Sequence, residues 1–203
     1  MPIRHDPLIT GCCKESHRWI IFNMNSKKDN AMKTFLPFLL FLSVSALAQK
    51  TVDYNTKIKE LGIELIEPTK PIANYVKAVR AGNLIFLAGH GPTKADGTNV
   101  TGKVGKDISV EQGIEAARIT AISLLSTLRA ELGDLNRVKR IVKINGWVNC
   151  TPDFADQPKV INGCSDLLVS IFGDAGKHAR AAMGANALPA NIAVEIEMIV
   201  EVQ

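Results

Sequence analysis

Arg180 and Glu195 are the two residues of this sequence best suited to act on a small anionic substrate. Arg180 stands among small residues, in His178-Ala179-Arg180-Ala181-Ala182-Met183-Gly184, where little bulk would shield a guanidinium. Glu195 follows a Leu188-Pro189 break, in Val194-Glu195-Ile196-Glu197. A guanidinium presents a planar fork of donors that grips a carboxylate through two parallel hydrogen bonds, which a lysine ammonium cannot match. A carboxylate can orient a water, take its proton and return a proton to a departing amine. Two strands joined by a Pro-containing turn would set the pair on neighbouring strands, facing one pocket. A plainer reading of the acid stands beside this one. Glu195, Glu197 and Glu201 share a two-residue phase and could form a solvated strand face. His90 and His178 lie next to the same segments, and each suits either acid–base chemistry or a hydrogen-bonded structural role. Tyr75 suits an aromatic wall. A phenol is a weak acid and so a poor proton donor.

Not all of the 203 residues belong to the fold that must position these groups. Met32-Lys33-Thr34-Phe35 opens a basic start, residues 36–46 are apolar, and Ala46-Leu47-Ala48 fits a small-x-small cleavage site. Segment 32–48 reads as a secretory signal peptide, too short for a stable membrane anchor. Residues 1–31 then read as an upstream extension from a mis-assigned start, with translation beginning at Met32 or Met24. The expected product is exported, periplasmic or secreted. Residues 1–48 hold six of the 24 Lys/Arg and three of the 20 Asp/Glu, which leaves the remainder with a net charge of +1. That balance predicts no electrostatic footprint for nucleic acid. Cys150 and Cys164 remain after the leader. Their spacing is not a metal pattern, no His or Cys cluster accompanies them, and no metal is expected. A disulfide and two free thiols both stay open.

Periodicity supplies the scaffold. Residues 51–61 read as a short helix ended by Gly62, and residues 49–66 as an N-terminal helix and linker ahead of a domain at 67–203. Residues 75–79 and 84–88 read as a hairpin around Gly82-Asn83. Ser109 and Gln112 form a capping box. Ile114, Ala117, Ala121, Leu124, Leu125, Leu128 and Leu132 then keep helical spacing up to Gly133. Residues 138–148 read as a strand with Val142, Ile144 and Val148 on one face. A second helix over about 158–172 shows Val160, Ile161, Leu167, Leu168 and Ile171 on its apolar side. Two strands, about 179–185 and 192–202, close the chain. The order β-β-α-β-α-β-β is an α+β sheet with two helices on one face.

Several stretches occur in this order: Pro71-Ile72-Ala73-Asn74-Tyr75-Val76-Lys77-Ala78-Val79, Ala81-Gly82-Asn83-Leu84-Ile85-Phe86-Leu87-Ala88-Gly89-His90, His178-Ala179-Arg180, Leu188-Pro189 and Val194-Glu195-Ile196-Glu197. Together they resemble the Rid (YjgF) family, also called the endoribonuclease L-PSP/chorismate mutase-like family. The segment 153–168 looks like a divergent branch. The resemblance implies a chorismate mutase-like fold and a homotrimer whose sheets form a central barrel, with pockets at subunit interfaces. It implies hydrolysis of reactive 2-imino or enamino acids to 2-keto acids and ammonia, without metal or organic cofactor. Carried over residue by residue, Arg180 would bind the substrate carboxylate and Glu195 would position the water. Tyr75 would line the pocket across the interface, Asn162 would be a pocket amide, and the backbone around Ala182 would help hold the water. Ala88 and His90 would also border the substrate, at positions where the family commonly has a serine and a glutamine. A noncatalytic, small-carboxylate-binding trimer is the alternative. The ribonuclease activity in the family's name conflicts with near-neutral charge and few aromatics.

Overall fold

The computed structural model describes residues 52–68 and 73–203, and the structural statements below concern those residues. The expected extension (1–31) and signal peptide (32–48), and Pro71-Ile72 of the first family-like stretch, lie outside them. The elements run α1 (Tyr54–Glu60), β1 (Ala78–Ala81), β2 (Leu84–His90), α2 (Val110–Leu132), β3 (Val138–Asn149), α3 (Gln157–Phe172), β4 (Ala179–Ala185) and β5 (Val194–Val202). This is the expected α+β order with one short helix ahead of it.

Local chemistry sets each boundary. Ala81 pairs with Leu84, so Gly82-Asn83 is a two-residue hairpin turn, and Gly82 takes the positive φ of 62° that such a turn requires. The Ser109 hydroxyl accepts from the Gln112 N–H while the Gln112 side chain accepts from the Ser109 N–H, so the capping box opens α2 as the sequence indicates. Gly133 ends α2 at φ 75°. Pro158 sits in the first turn of α3, where its missing N–H costs nothing. At α1, Asp53 caps the helix and also accepts from Asn136, while Asn55 donates to Asp134, which caps the turn before β3. The Tyr54 ring meets Phe172 edge-on at 4.7 Å. These ties hold α1 against α3 and the β3 entry.

The five strands form one sheet in the order β1-β2-β5-β3-β4. β3 and β4 run parallel, joined by α3 as a crossover, and the other pairs are antiparallel. Helix α2 packs across β2 and β5, and α3 across β3 and β4. Leu124, Leu125, Leu128, Ile144, Ile161, Leu168, Ile196 and Met198 are fully buried between the layers. Each stabilises the fold by roughly 1.5–3 kcal/mol against leaving it in water.

Two expectations change. The Leu188-Pro189 turn does not lay β5 beside β4. β5 pairs with β3 on the edge away from β4, so β3 stands between them. There its Val194, Ile196, Met198 and Val200 are buried on the helix-covered face. In β3 a register shift between Ile141 and Lys143 puts Ile141, not Val142, with Ile144 and Val148 in the core. A strict two-residue period cannot anticipate that inserted residue.

Candidate functional site

Arg180 lies on β4 opposite Ile144, which in turn faces Met198 of β5. Both partners are buried on the helix-covered face, so Arg180 shares that face, at the free edge of the sheet. Glu195 is three residues from Met198 along β5, opposite Trp147, which in turn faces Met183 of β4, and is therefore on the other face. A single chain does not bring Arg180 and Glu195 into a shared pocket, because a strand intervenes and the faces differ.

The arginine half is built from α3 and β4. Arg180 Nη1 donates to Asn162 Oδ1 at 2.7 Å and to Ser165 Oγ at 3.0 Å. Asn162 and Ser165 are one helical turn apart and so project from one side of α3. The predicted pocket amide Asn162 is thus a direct holder of the guanidinium. Ser165 was not singled out by the sequence reading, and its three-residue spacing from Asn162 is the signal that could have found it. His178 joins the same cluster, with Nδ1 2.6 Å from the Gly176 carbonyl and Nε2 3.1 Å from Ser165 Oγ. Burial first, and the nearby Arg180 charge after it, push the His178 pKa down. Among the described residues no acid forms an ion pair with Arg180. Ala182 is half-buried, opposite Gly146, with its methyl packed toward the core.

The carboxylate half is built from β5 and β2. The Glu195 carboxylate lies over Gly89, where any Cβ would overlap it. Only glycine leaves that room. Partial burial, and then the charge of Glu197, raise the Glu195 pKa above its usual value. Glu197 accepts from Asn145 Nδ2 at 2.6 Å. A cavity of about 230 Å³ adjoins Gly89 and is lined by Tyr75, Lys77, His90, Thr93, Ser123 and Thr127, among others. Tyr75 is 49% exposed. Ala88 is half-buried, and its carbonyl is taken by His90.

His90 is a structural histidine. It is 5% exposed, with Nδ1 2.7 Å from the Ala88 carbonyl and Nε2 2.8 Å from Thr127 Oγ1. A carbonyl only accepts, so Nδ1 carries the proton and Nε2 accepts from Thr127. Burial lowers its pKa to about 4, which keeps the ring neutral. Both ring nitrogens are engaged within the protein, although the residue lines the cavity beside Gly89. Cys150 and Cys164 are buried free thiols, which settles the choice left open above. Among the described residues no group of three or more His, Cys, Asp or Glu converges to hold a metal, and no helix is long and apolar enough to cross a membrane.

A two-layer α+β domain with a mixed five-stranded sheet, an anchored edge arginine and a glycine-seated glutamate defines the class. The model of the YjgF/chorismate mutase-like family, whose description also carries the word endoribonuclease, matches residues 55–202. The chain belongs to that family. Protein TCP17 of Trypanosoma cruzi is 43% identical over 145 residues, 71% of this chain and 91% of that protein. A RutC family protein of Pyrococcus abyssi is 31% identical over 131 residues, 64% of this chain and 87% of its own length. The crystal structure of Atu1372, a protein of unknown function from Agrobacterium tumefaciens, superposes with a TM-score of 0.67 at 41% identity. It covers 74% of this chain and 93% of that one.

Proposed function

We propose that the chain hydrolyses reactive 2-imino and enamino acids to 2-keto acids and ammonia. The observation that carries this reading is Arg180: a guanidinium anchored through Nη1 by Asn162 and Ser165, with no acidic partner among the described residues. Its remaining N–H groups fit a small carboxylate held bidentately. Because Arg180 and Glu195 occupy opposite faces, the complete site takes Arg180 from one copy and Glu195 and Tyr75 from another. The exposed apolar residues Val76, Val79, Phe86 and Met183 support self-association, and we take the assembly to be a homotrimer.

With the substrate carboxylate on Arg180, C2 of the iminium form faces a water held by Glu195. Glu195 accepts a water proton as the oxygen bonds to C2, giving a 2-amino-2-hydroxy acid. Glu195 passes that proton to the amine, the C–N bond breaks with its electron pair going to nitrogen, the hydroxyl proton is transferred to the departing ammonia, and the 2-keto acid and ammonium leave. A carboxylate whose pKa lies above its usual value is a stronger base, and so takes the water proton more readily than an ordinary one.

The test generates imino acids with an amino-acid oxidase and follows 2-keto acid release with and without the purified protein. Acceleration that Arg180→Lys nearly abolishes supports the reading; no acceleration across several side chains sinks it. The second reading, a noncatalytic binder of small carboxylates, is favoured by Ala88 and His90, which supply no free polar group beside Glu195. It requires carboxylate binding without turnover. Export through segment 32–48 is part of the same proposal. N-terminal sequencing of the product should then begin at Gln49, and a full-length product would refute it.

A further inference from the structure

We infer that Ser165 and His178 are positioning residues for Arg180, linked to the Gly176 carbonyl in a one-directional hydrogen-bond chain that fixes the guanidinium plane. This rests on the reading that Arg180 holds a carboxylate.

The chain has one consistent assignment. The Gly176 carbonyl can only accept, so His178 Nδ1, 2.6 Å away, carries the proton. Nε2 of the neutral ring is then an acceptor, and the single Ser165 proton goes to it across 3.1 Å. That leaves the Ser165 lone pairs for Arg180 Nη1 at 3.0 Å, beside Asn162 Oδ1 at 2.7 Å. Two acceptors on one terminal nitrogen hold the guanidinium in plane and direct its other donors away from α3. A serine without His178 could turn its proton toward Arg180, donor against donor, and lose the hold. The anchor is itself rigid. Gly176 packs so closely on Leu168 and Val169 that no side chain fits there, which fixes the carbonyl orienting His178. Orientation of a binding fork is worth little unless it is held before the ligand arrives.

The plainer alternative is that the cluster only joins α3 to β4. The two roles separate in solution. Pyruvate serves as the probe for the full chain, with affinity read by NMR titration and stability by thermal unfolding. Ser165→Ala should weaken pyruvate binding about tenfold, the cost of one charged hydrogen bond. It should leave Tm within a few degrees, and Ser165→Thr should restore most of the affinity. In turnover, Ser165→Ala should raise KM more than it lowers kcat. Nitrogen-15 shifts of the unaltered protein should show the His178 proton on Nδ1, a measurement that needs no variant to fold. Unchanged pyruvate affinity in Ser165→Ala while Arg180→Ala loses binding would overturn the positioning role alone, as would a proton on Nε2. Unchanged affinity in Arg180→Ala would remove the carboxylate reading and this inference with it.

Discussion

The carboxylate of Glu195 lies directly over Gly89, in space that a side chain at position 89 would fill. The glycine is exposed and lies at the register shift of β2, between Leu87 and His90. Gly89→Ala should therefore leave the fold nearly intact, because the methyl meets the flexible end of Glu195 rather than the core. Its effect should fall on chemistry. Moving a catalytic group by about 1 Å costs on the order of 100-fold in rate. Imine hydrolysis by Gly89→Ala, followed as kcat/KM beside thermal unfolding, should drop by at least tenfold with Tm shifted by only a few degrees.

Glu195 also sets a pH prediction. Burial and the neighbouring Glu197 hold its pKa above the usual value, so the acidic limb of kcat/KM should lie above that of an ordinary glutamate. Glu197→Gln removes one negative neighbour and should move that limb to lower pH. Stability runs the opposite way. A carboxyl whose pKa is raised on folding stabilises fully below its unfolded value, and that contribution is lost as pH rises through the folded one. At pH 7 the ionised Glu195 is thus a small liability, moderated by its partial exposure. Glu195→Gln should abolish turnover and raise Tm by a few degrees at most, a pairing that a purely structural glutamate would not give.

The elements of this fold were legible because each carries its own signal: the Ser109–Gln112 box, the Gly133 stop, the Gly82-Asn83 turn and the apolar stripes of α2 and α3. Strand order was not. Leu188-Pro189 reads as a hairpin turn, and nothing local in residues 179–202 says that β5 will cross to the far edge of β3. The face of Ile141 was hidden by a one-residue insertion in the register. At the site, the sequence singles out Arg180, Asn162 and Glu195, and the structure joins Arg180 to Asn162 while setting Glu195 on the other face of the sheet. Asn162 and Ser165 repeat at helical spacing, and His178 and Arg180 at strand spacing, so the arginine cluster was written in the sequence as two periods meeting at one corner. Recognising it requires knowing that α3 covers β4.

His90 gives a second pH signature, in stability rather than activity. Burial lowers its pKa from 6.5 to about 4. A base whose pKa is depressed on folding contributes stability that is present above its unfolded pKa and is lost as pH falls through the folded one. Unfolding free energy should decline between about pH 6.5 and pH 4, by on the order of 3 kcal/mol from this residue. Urea titrations across that window should show a shallower decline in His90→Gln, whose amide can still donate to Ala88 and accept from Thr127. Thr127→Val strands Nε2 and should cost roughly 1–3 kcal/mol at neutral pH.

Cys150 and Cys164 should behave as inert core residues. Both are buried, and burial pushes the Cys164 thiol up to about 12 despite the nearby Arg180 charge. The nucleophile in alkylation is the thiolate, so Cys164 should not react in the native protein, and burial should shield Cys150 from the reagent. Mass-spectrometric mapping after iodoacetamide should find both unmodified before denaturation and both labelled after it, with and without prior reductant. A peptide linking the two would contradict the free thiols.

Gly163 tests how closely the arginine cluster depends on helix packing. It lies on α3 between Asn162 and Ser165, where a Cβ would run into the backbone carbonyl of Ile114 on α2. A helix carbonyl cannot move aside as a side-chain tip can, so Gly163→Ala must push the helices apart. Overpacking of this kind costs typically 1–3 kcal/mol, against the ordinary gain in helix propensity from alanine. The displaced turn carries both acceptors of Arg180 Nη1, so the loss of stability should come with weakened carboxylate binding. Gly133→Ala serves as the control. It has the same chemistry and a positive φ of 75°, but nothing lies within contact of its Cβ and it is far along the chain from the cluster. It should lose stability through backbone strain while pyruvate affinity stays at the parent value. Equal affinity in the two variants would show that the cluster does not depend on the fit of α3 against α2.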